Sequence, residues 1–549
     1  MANPIPSGQP APLTGISILD ALTSGFSWTL GADRTIDWSV SGGFQGEAWR
    51  SADQVRAGVQ VALDTIATYV NVRFNFVGIF SDPAAAAKAG SDINVGLSGE
   101  TRLVGDDSKF SAVGYFPTST LDAVRYDSAS GDVLFNTNNF AASFTDFLPG
   151  SSGYVLLLHE LGHVLGLKHP HDSGGTDRPT FSDIGYDRLN FDWGTMMAYT
   201  DDDDDRSHFP TTPMMLDVIA LRSLYGPNMA TNAGDDTHLI RATGRYTTLW
   251  DAGGHDTIDV SGSIRGWYIY LPDDQITPND PVLTGLASPL DELDLEAPQS
   301  LTWLMGSIED VVGSPQDDEI AGNVLGNVIS GGGGDDNIDG WDSDDTLSGD
   351  AGDDVVWGGL GNDSISDTSG SNYLRGEEGA DRIVGGSGFD DINGNQGDDT
   401  ASGGAGEDWV VGGKDNDSLS GGDAFDLVYG NLGSDTLDGG DGGDIVRGGQ
   451  QNDVLFGGAG DDYLSGDRDN DTLTGGAGAD TFHSFGEAGI DRITDFSRAQ
   501  GDRVLLDAGT TYTVAQSGAD TVVTMTGGGQ VILVGVTLST LSDGWIVVG

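Results

Sequence analysis

Apolar residues fall into two registers along this chain. Val55, Val59, Leu63, Ile66 and Val70 recur at helical spacing, which predicts an amphipathic helix opened by Ser51 and Gln54 at capping-box separation. Leu157, Leu158, Leu161, Val164 and Leu165 predict a second helix with one apolar face. A third is predicted near 213–225, where Gly226-Pro227 stops it. FNFVGIF (74–80), SDINVGL (91–97) and GDVLFN (131–136) read as strands. GDVLFN is expected at the edge of the sheet, where an extended peptide would pair with it by strand addition.

From Gly313 to His483 the period changes to nine and never slips. These 171 residues form 19 nonapeptides of the pattern G-G-x-G-x-D-x-U-x, with U a large apolar residue. The sixth position is Asp in 17 repeats and Asn at Asn327 and Asn372. The eighth is apolar in all 19, with Ala401 the one small residue. A Gly/Asp linker has no reason to place an apolar residue at every ninth position, so the segment is expected to fold as a parallel β-roll. Its glycines allow tight turns and leave backbone carbonyls open, and its Asp adds a hard carboxylate oxygen. That donor set suits calcium, which takes 6–8 oxygen ligands. Two nonapeptides close one coil, and the apolar side chains stack inside as a thin column. Because that column is meagre and the acidic turns repel, calcium is expected to supply much of the folding free energy.

The calcium-binding assignment covers Gly331, Gly332 and Asp336; Gly349 and Asp354; Gly358, Gly359 and Asp363; and Gly385, Gly386 and Asp390. It continues through Gly403, Gly404 and Asp408; Gly457, Gly458 and Asp462; and Gly475, Gly476 and Asp480. Weak or missing sites are expected where Asp415, Ala424, Gln451 or Asp469 replaces the fourth-position Gly, and in 367–375, which starts with Asp367.

Composition narrows the function. The net charge of −62 excludes a nucleic-acid or membrane-surface binder, and calcium ligation accounts for most of that charge. Cysteine is absent, so disulfides play no part and calcium is expected in their place. MANPIPSGQPAPLTG has neither a basic nor an apolar region of the kind a secretory signal needs. No run reaches the roughly 18 apolar residues of a membrane helix. Export, if it occurs, needs another route.

Candidate catalytic chemistry sits in HELGHVLGLKH, residues 159–169. His159 and His163 lie one helical turn apart, so both imidazoles can share a zinc ion. Gly166 is expected to turn the chain out of the helix in a left-handed conformation, returning His169 as a third ligand. Three protein ligands leave a fourth position open, as in catalytic zinc sites. Glu160 would act as general base on the attacking water and then as proton donor to the leaving amine. Downstream, FDWGTMMAY offers Met197 as a Met-turn residue, with Tyr199 two positions on to stabilise an oxyanion. Asp201 to Asp205 are read as a solvated loop, with a preference for basic substrates as the sharper alternative.

With these motifs the chain resembles serralysin-type metzincins, secreted zinc endopeptidases with an RTX calcium-binding tail. HELGHVLGLKHPHD, the Met-turn with Tyr199, LDVIALRSLYGPN, WDAGGHDTIDVSG, SIEDVVG and the nonapeptides carry the resemblance. It implies His159, His163 and His169 as zinc ligands, Tyr199 as an additional ligand, and Glu160 as catalytic acid/base. It implies calcium at Asp251, Gly253, Gly254 and Asp256, and at Ser307, Glu309 and Asp318. It also implies export by type I secretion machinery, protein or peptide substrates, an extracellular location and a monomer. Ala198 stands where the family usually has Ser, and TNAGDDTH at 231–238 departs from the family's calcium loop.

The expected fold is an α/β metzincin-like protease domain followed by an all-β parallel roll with a β-rich C-terminal cap. The expected bounds are 1–20 for a propeptide or flexible arm, 21–230 for the protease, 231–312 for a β-rich lead-in, 313–483 for the roll and 484–549 for the cap and secretion signal. The competing reading is a calcium-binding cell-surface or adhesion protein whose protease domain is vestigial. Intact His, Glu and Tyr positions favour the enzyme.

Overall fold

In the computed structural model the described residues are 17–24, 26–42, 48–98, 112–114, 132–136, 147–149, 151–170, 195–198, 210–272, 285–292 and 298–549, with isolated pieces at 3–4, 180 and 182. The chain divides into two compact units. The first comprises Met1–Asp236, Ile240–Asp256 and Leu271–Ile308; the second comprises Thr237–Leu239, Thr257–Tyr270 and Glu309–Gly549.

A five-stranded sheet organises the first unit. Its order is Arg73–Phe80, Thr35–Ser41, Ile93–Ser98, Asp132–Asn136 and Ala112–Gly114. The first four strands run parallel, and Ala112–Gly114 closes the sheet antiparallel. GDVLFN is therefore an interior strand, contrary to the edge position expected from sequence. Val133, Leu134 and Phe135 are each at most 1% exposed. Three consecutive buried apolar residues mark a strand covered on both faces. Among the described residues the edge on this side is a three-residue strand, Ala112–Gly114, with no hydrophobic run to announce it.

Helices cover this sheet as their caps and periods dictate. The helix Ala52–Tyr69 starts at Ser51, whose Oγ accepts a hydrogen bond from the Gln54 amide at 3.3 Å. It buries Val55, Val59, Leu63 and Ile66. The helix Ser152–Val164 is capped in the same way by Ser151, which accepts from the Tyr154 amide at 3.2 Å. The helix Met215–Tyr225 ends at Gly226, whose φ of 76° no β-branched or bulky residue adopts readily.

In the second unit the nonapeptides alternate between two sheets of parallel strands. Equivalent residues pair at a separation of two repeats: Ile320 with Ile338, Ile338 with Val356, Ile329 with Leu347. All eighth-position side chains from Ile320 to Phe482 are buried, none more than 3% exposed. Tyr512–Ser517, Asp520–Met525 and Gln530–Leu533 turn antiparallel at the end of one of the two 16-stranded sheets and cap it.

This stacking also buries the sixth-position carboxylates. The backbone amides donate to the sixth-position side chain one coil further on, as in Asp336 to Asp354 at 2.7 Å and Asp390 to Asp408 at 2.9 Å, with Asn372 as the acceptor for Asp354. The second carboxylate oxygen of Asp336, Asp345, Asp354, Asp363, Asp390, Asp408 and Asp462 is buried with no protein partner. Burial first, and neighbouring carboxylates after it, push Asp336, Asp345, Asp417 and Asp453 from 3.8 up to about 8. The same causes take Asp381 and Asp462 to about 7. A protonated coil is thus favoured without a cation. Its stability is fully present below the ordinary carboxylate value of 3.8 and is lost as pH rises through about 6 to 8. Circular dichroism of calcium-free protein should show strand signal near pH 4.5 that fades by pH 8. Calcium added at pH 8 should restore it with release of protons. Strand content of the calcium-free protein that is constant from pH 4.5 to 8 would contradict the burial of these groups as acids.

Candidate metal centres

Two local structures bring the three motif histidines together. The helix Ser152–Val164 presents His159 and His163 one turn apart on one side. Gly166 then reverses the chain at φ 108°, as expected, and a Cβ there would collide with the carbonyl oxygen of Phe26. The reversal is pinned by the Ser24 amide donating to the Gly166 carbonyl and the Lys168 amide donating to the Leu22 carbonyl. His169 consequently faces the helix. Its Nε2 lies 3.1 Å from His159 Nε2 and 3.0 Å from His163 Nε2. Three ligands held at about 2.0–2.1 Å around a tetrahedral zinc have nitrogens a little over 3 Å apart, so this donor set fits zinc.

The opposite ring nitrogens are committed to backbone carbonyls. His159 Nδ1 donates to the Met196 carbonyl at 2.7 Å and His163 Nδ1 donates to the Leu167 carbonyl at 3.0 Å. With the proton on Nδ1, the Nε2 lone pairs point to the shared centre, the usual outer-shell device of histidine metal sites. His159 and His163 are buried and His169 is half-buried. Glu160, next to His159 on the same helix, is 3% exposed.

Beneath the histidines lies a turn at residues 195–198. Met197 is fully buried, and a Cβ on Gly162 would run into its sulfur and into the methyl of Met196. Gly162 is therefore the point where the motif helix and this turn touch. Asp217, at the start of the helix Met215–Tyr225, anchors the turn. Its Oδ1 accepts from Thr195 Oγ1 at 2.5 Å, and its Oδ2 accepts from the Met196 amide at 2.7 Å and the Met214 amide at 3.0 Å. Burial lifts its carboxyl to about 7 against the pull of these hydrogen bonds. Neither Gly162 nor Asp217 stands out in the sequence reading. The one available signal is an acidic residue inside the otherwise apolar MLDVIAL. Tyr199 and the Asp201–Asp205 run lie outside the described residues.

The expected calcium positions divide into three groups. Asp251 and Asp256 are both fully buried in one loop of the first unit. Asp251 Oδ1 accepts from the Gly253 amide at 3.0 Å, and Asp256 Oδ1 accepts from the Asp236 amide at 2.7 Å. Gly253 has φ 126°, and a Cβ on Gly254 would collide with the Gly234 carbonyl. The 231–236 segment, although it departs from the family pattern, packs directly against this loop. Ser307 belongs to the first unit, whereas Glu309 and Asp318 belong to the second. Asp318 differs from later sixth-position residues because the chain engages both of its oxygens: Trp267 donates to one at 2.6 Å and the Ser314 amide to the other at 2.6 Å.

In the roll, the first-position glycines act as cradles. A Cβ on Gly331, Gly358, Gly385, Gly403, Gly457 or Gly475 would collide with the carboxylate of Asp336, Asp363, Asp390, Asp408, Asp462 or Asp480 respectively. The second-position residues Gly332, Gly359, Gly386, Gly404, Gly458 and Gly476 all turn at φ between 96° and 111°. Gly349 faces two carboxylates, Asp354 and Asp367, which repel and share this space. Asp415, Ala424, Gln451 and Asp469 keep the left-handed turn, at φ 72° to 89°, despite their side chains. The buried oxygens without protein partners make these turns suited to a hard cation.

The repeat array matches the RTX calcium-binding nonapeptide repeat family over residues 321–356, 357–392, 384–419, 411–446, 420–455 and 447–482. Serralysin C of Dickeya chrysanthemi is 34% identical over 167 residues, 27% of this chain and 34% of that protein. Serralysin of Proteus mirabilis is 30% identical over 231 residues, 38% of this chain and 45% of that protein. Metalloprotease AprA of Pseudomonas entomophila (strain L48) is 30% identical over 201 residues, 33% and 39% of the two chains. The chain thus spans between about a third and under half of the length of these relatives. A solved structure, the extracellular lipase LipA from Serratia marcescens, aligns with 34% of this chain and 45% of its own at 20% identity and a TM-score of 0.15, a likeness that carries no argument. Over part of its length the chain is thus similar to serralysins and related metalloproteases, and it carries an array of RTX calcium-binding nonapeptide repeats.

Proposed function

We propose that the protein is a secreted zinc-dependent endopeptidase whose RTX roll folds around calcium. The observation that carries this reading is the convergence of three imidazoles, with His169 Nε2 within 3.1 Å of both His159 Nε2 and His163 Nε2, each of the two helical ones oriented from behind by a carbonyl. Zinc held there would polarise the scissile carbonyl and make water more acidic.

The chain's residues supply the rest. Glu160 takes the proton of the attacking water and passes it to the leaving amine. The Tyr199 hydroxyl donates a hydrogen bond to the developing oxyanion. Met196 and Met197 hold the histidines from below, and Asp217 holds Met196. An extended protein or peptide substrate pairs with the sheet at its edge, Ala112–Gly114, through main-chain hydrogen bonds, which favours broad specificity. The relatives' names support protein substrates, and the RTX repeats support export by type I secretion machinery to the extracellular space.

Casein hydrolysis by the calcium-loaded protein should disappear with 1,10-phenanthroline and return with zinc. Glu160→Ala should lower kcat by roughly 10²–10⁴-fold or more while zinc content stays at the wild-type level. Full proteolysis by that variant would remove Glu160 from the mechanism. A zinc-loaded, calcium-folded protein with no peptidase activity would favour the adhesion reading. Gly162→Ala should cost about 1–3 kcal/mol by overpacking against Met197 and weaken zinc retention. An unchanged melting temperature and zinc affinity would refute the close contact.

A further inference from the structure

The first coils of the roll carry a trough that the protease reading does not use. It has a volume of about 460 Å³ and lies within the second unit, a size ordinary for a small-molecule site. Its origin is a gap in a ladder of outward side chains. Tyr270, Ala321, Asp339 and Trp357 occupy equivalent positions on four neighbouring strands. The small Ala321 leaves a floor between Tyr270 and Asp339. Tyr268 and Glu319 line the adjacent column. Trp341 leans over the gap, its ring centroid 5.9 Å from that of Tyr270 and the two planes at 86°.

Trp341 is held there at a cost. It sits at the second position of its repeat, where the next coil has Gly359, and it adopts φ 79°. A bulky side chain in this left-handed region is strained, and such strain persists where the surroundings require it. The indole is nonetheless 43% exposed, so packing does not explain it. Asp339 fixes the turn by accepting from the Trp341 amide at 3.2 Å.

The charge in the trough has one sign. Glu319 and Asp339 line it, and among the described residues no Lys or Arg does. Burial, and then the charge of Glu377, hold the Asp339 carboxyl above its ordinary range. The nearby Arg375 is engaged elsewhere, stacked 3.3 Å over Tyr373 and paired with Asp391 at 2.9 Å. Perpendicular aromatic walls with carboxylates beside them attract a cation whose surface is apolar, through the ring quadrupoles and the negative charge together.

We propose that this trough binds an alkylated ammonium cation, with Tyr270, Trp341 and Trp357 as the aromatic walls, Asp339 and Glu319 as the counter-charge and Ala321 as the floor. The cation is either a free quaternary amine or the zwitterionic headgroup of a choline lipid, which has no net charge for the −62 chain to repel.

The test is titration calorimetry of the calcium-loaded full chain with choline and with 3,3-dimethylbutan-1-ol, its uncharged counterpart of the same shape. Choline should bind, and the alcohol should bind about tenfold more weakly or less. Ala321→Leu fills the floor and Asp339→Asn removes a charge. Each should weaken choline binding about tenfold with calcium-induced strand signal intact. Phosphatidylcholine and phosphatidylglycerol vesicles identify the source. Capture by the first and not the second assigns the lipid headgroup, and capture by neither with choline bound assigns the free amine. Equal binding of choline and the alcohol, no binding of choline, or unaltered binding by both variants overturns the proposal.

Discussion

Buried carboxylates stacked one coil above another are the constraint on which the second half of this protein depends. A nonapeptide buries one apolar side chain, worth roughly 1.5–3 kcal/mol. That is about the entropy cost of ordering the backbone of one or two of its nine residues. Hydrogen bonds along the sheets contribute, but each coil also drives sixth-position acids out of water with one oxygen unpartnered. A hard cation between neighbouring turns reverses the sign of that contribution. The same Asp that opposes folding in its ionised, cation-free state offers the unpartnered oxygen that a cation would take.

The geometry of the three histidines rests on a different principle. Here the protein provides a nearly finished set of donors through local backbone geometry and buried hydrogen bonds. Two histidines come from helical periodicity, and the third from a reversal only glycine makes without strain at φ 108°. Carbonyls of Met196 and Leu167 select the ring tautomers. The Met196 carbonyl is itself held because Asp217 grips the Met196 amide and Thr195. The chain from Asp217 to His159 therefore links the helix Met215–Tyr225 to the three histidines through one turn of backbone.

The two faces of the roll illustrate how one repeat yields two surfaces. Successive nonapeptides go to opposite sheets, so face chemistry repeats every 18 residues and not every nine. One face displays Thr346, Ser348, Ser364, Ser366, Ser418 and Ser420, while the other displays Tyr268, Tyr270, Trp357, Tyr373 and Trp409. The aromatic residues are scattered in sequence and become neighbours only when coils stack.

Much was determined by sequence alone. The nine-residue phase dictates a roll, because only an inward apolar side chain at each eighth position makes that spacing useful. The helical separation of His159 and His163, and a glycine before His169, dictate a three-histidine centre because those offsets are local. The helix starts at Ser51 and the stop at Gly226 are equally local. Tertiary structure decided what depends on neighbours distant in sequence. GDVLFN moved from the edge to the interior because strand order is set by pairing, which a single strand does not encode. Asp217 and Gly162 acquired their roles because a turn over 30 residues from Gly162 packs against its helix. The trough beneath Trp341 exists because Ala321 and Tyr270, 51 positions apart in number, lie on paired strands. Short-range geometry is written in short-range pattern; contacts between coils and between elements depend on how the chain packs.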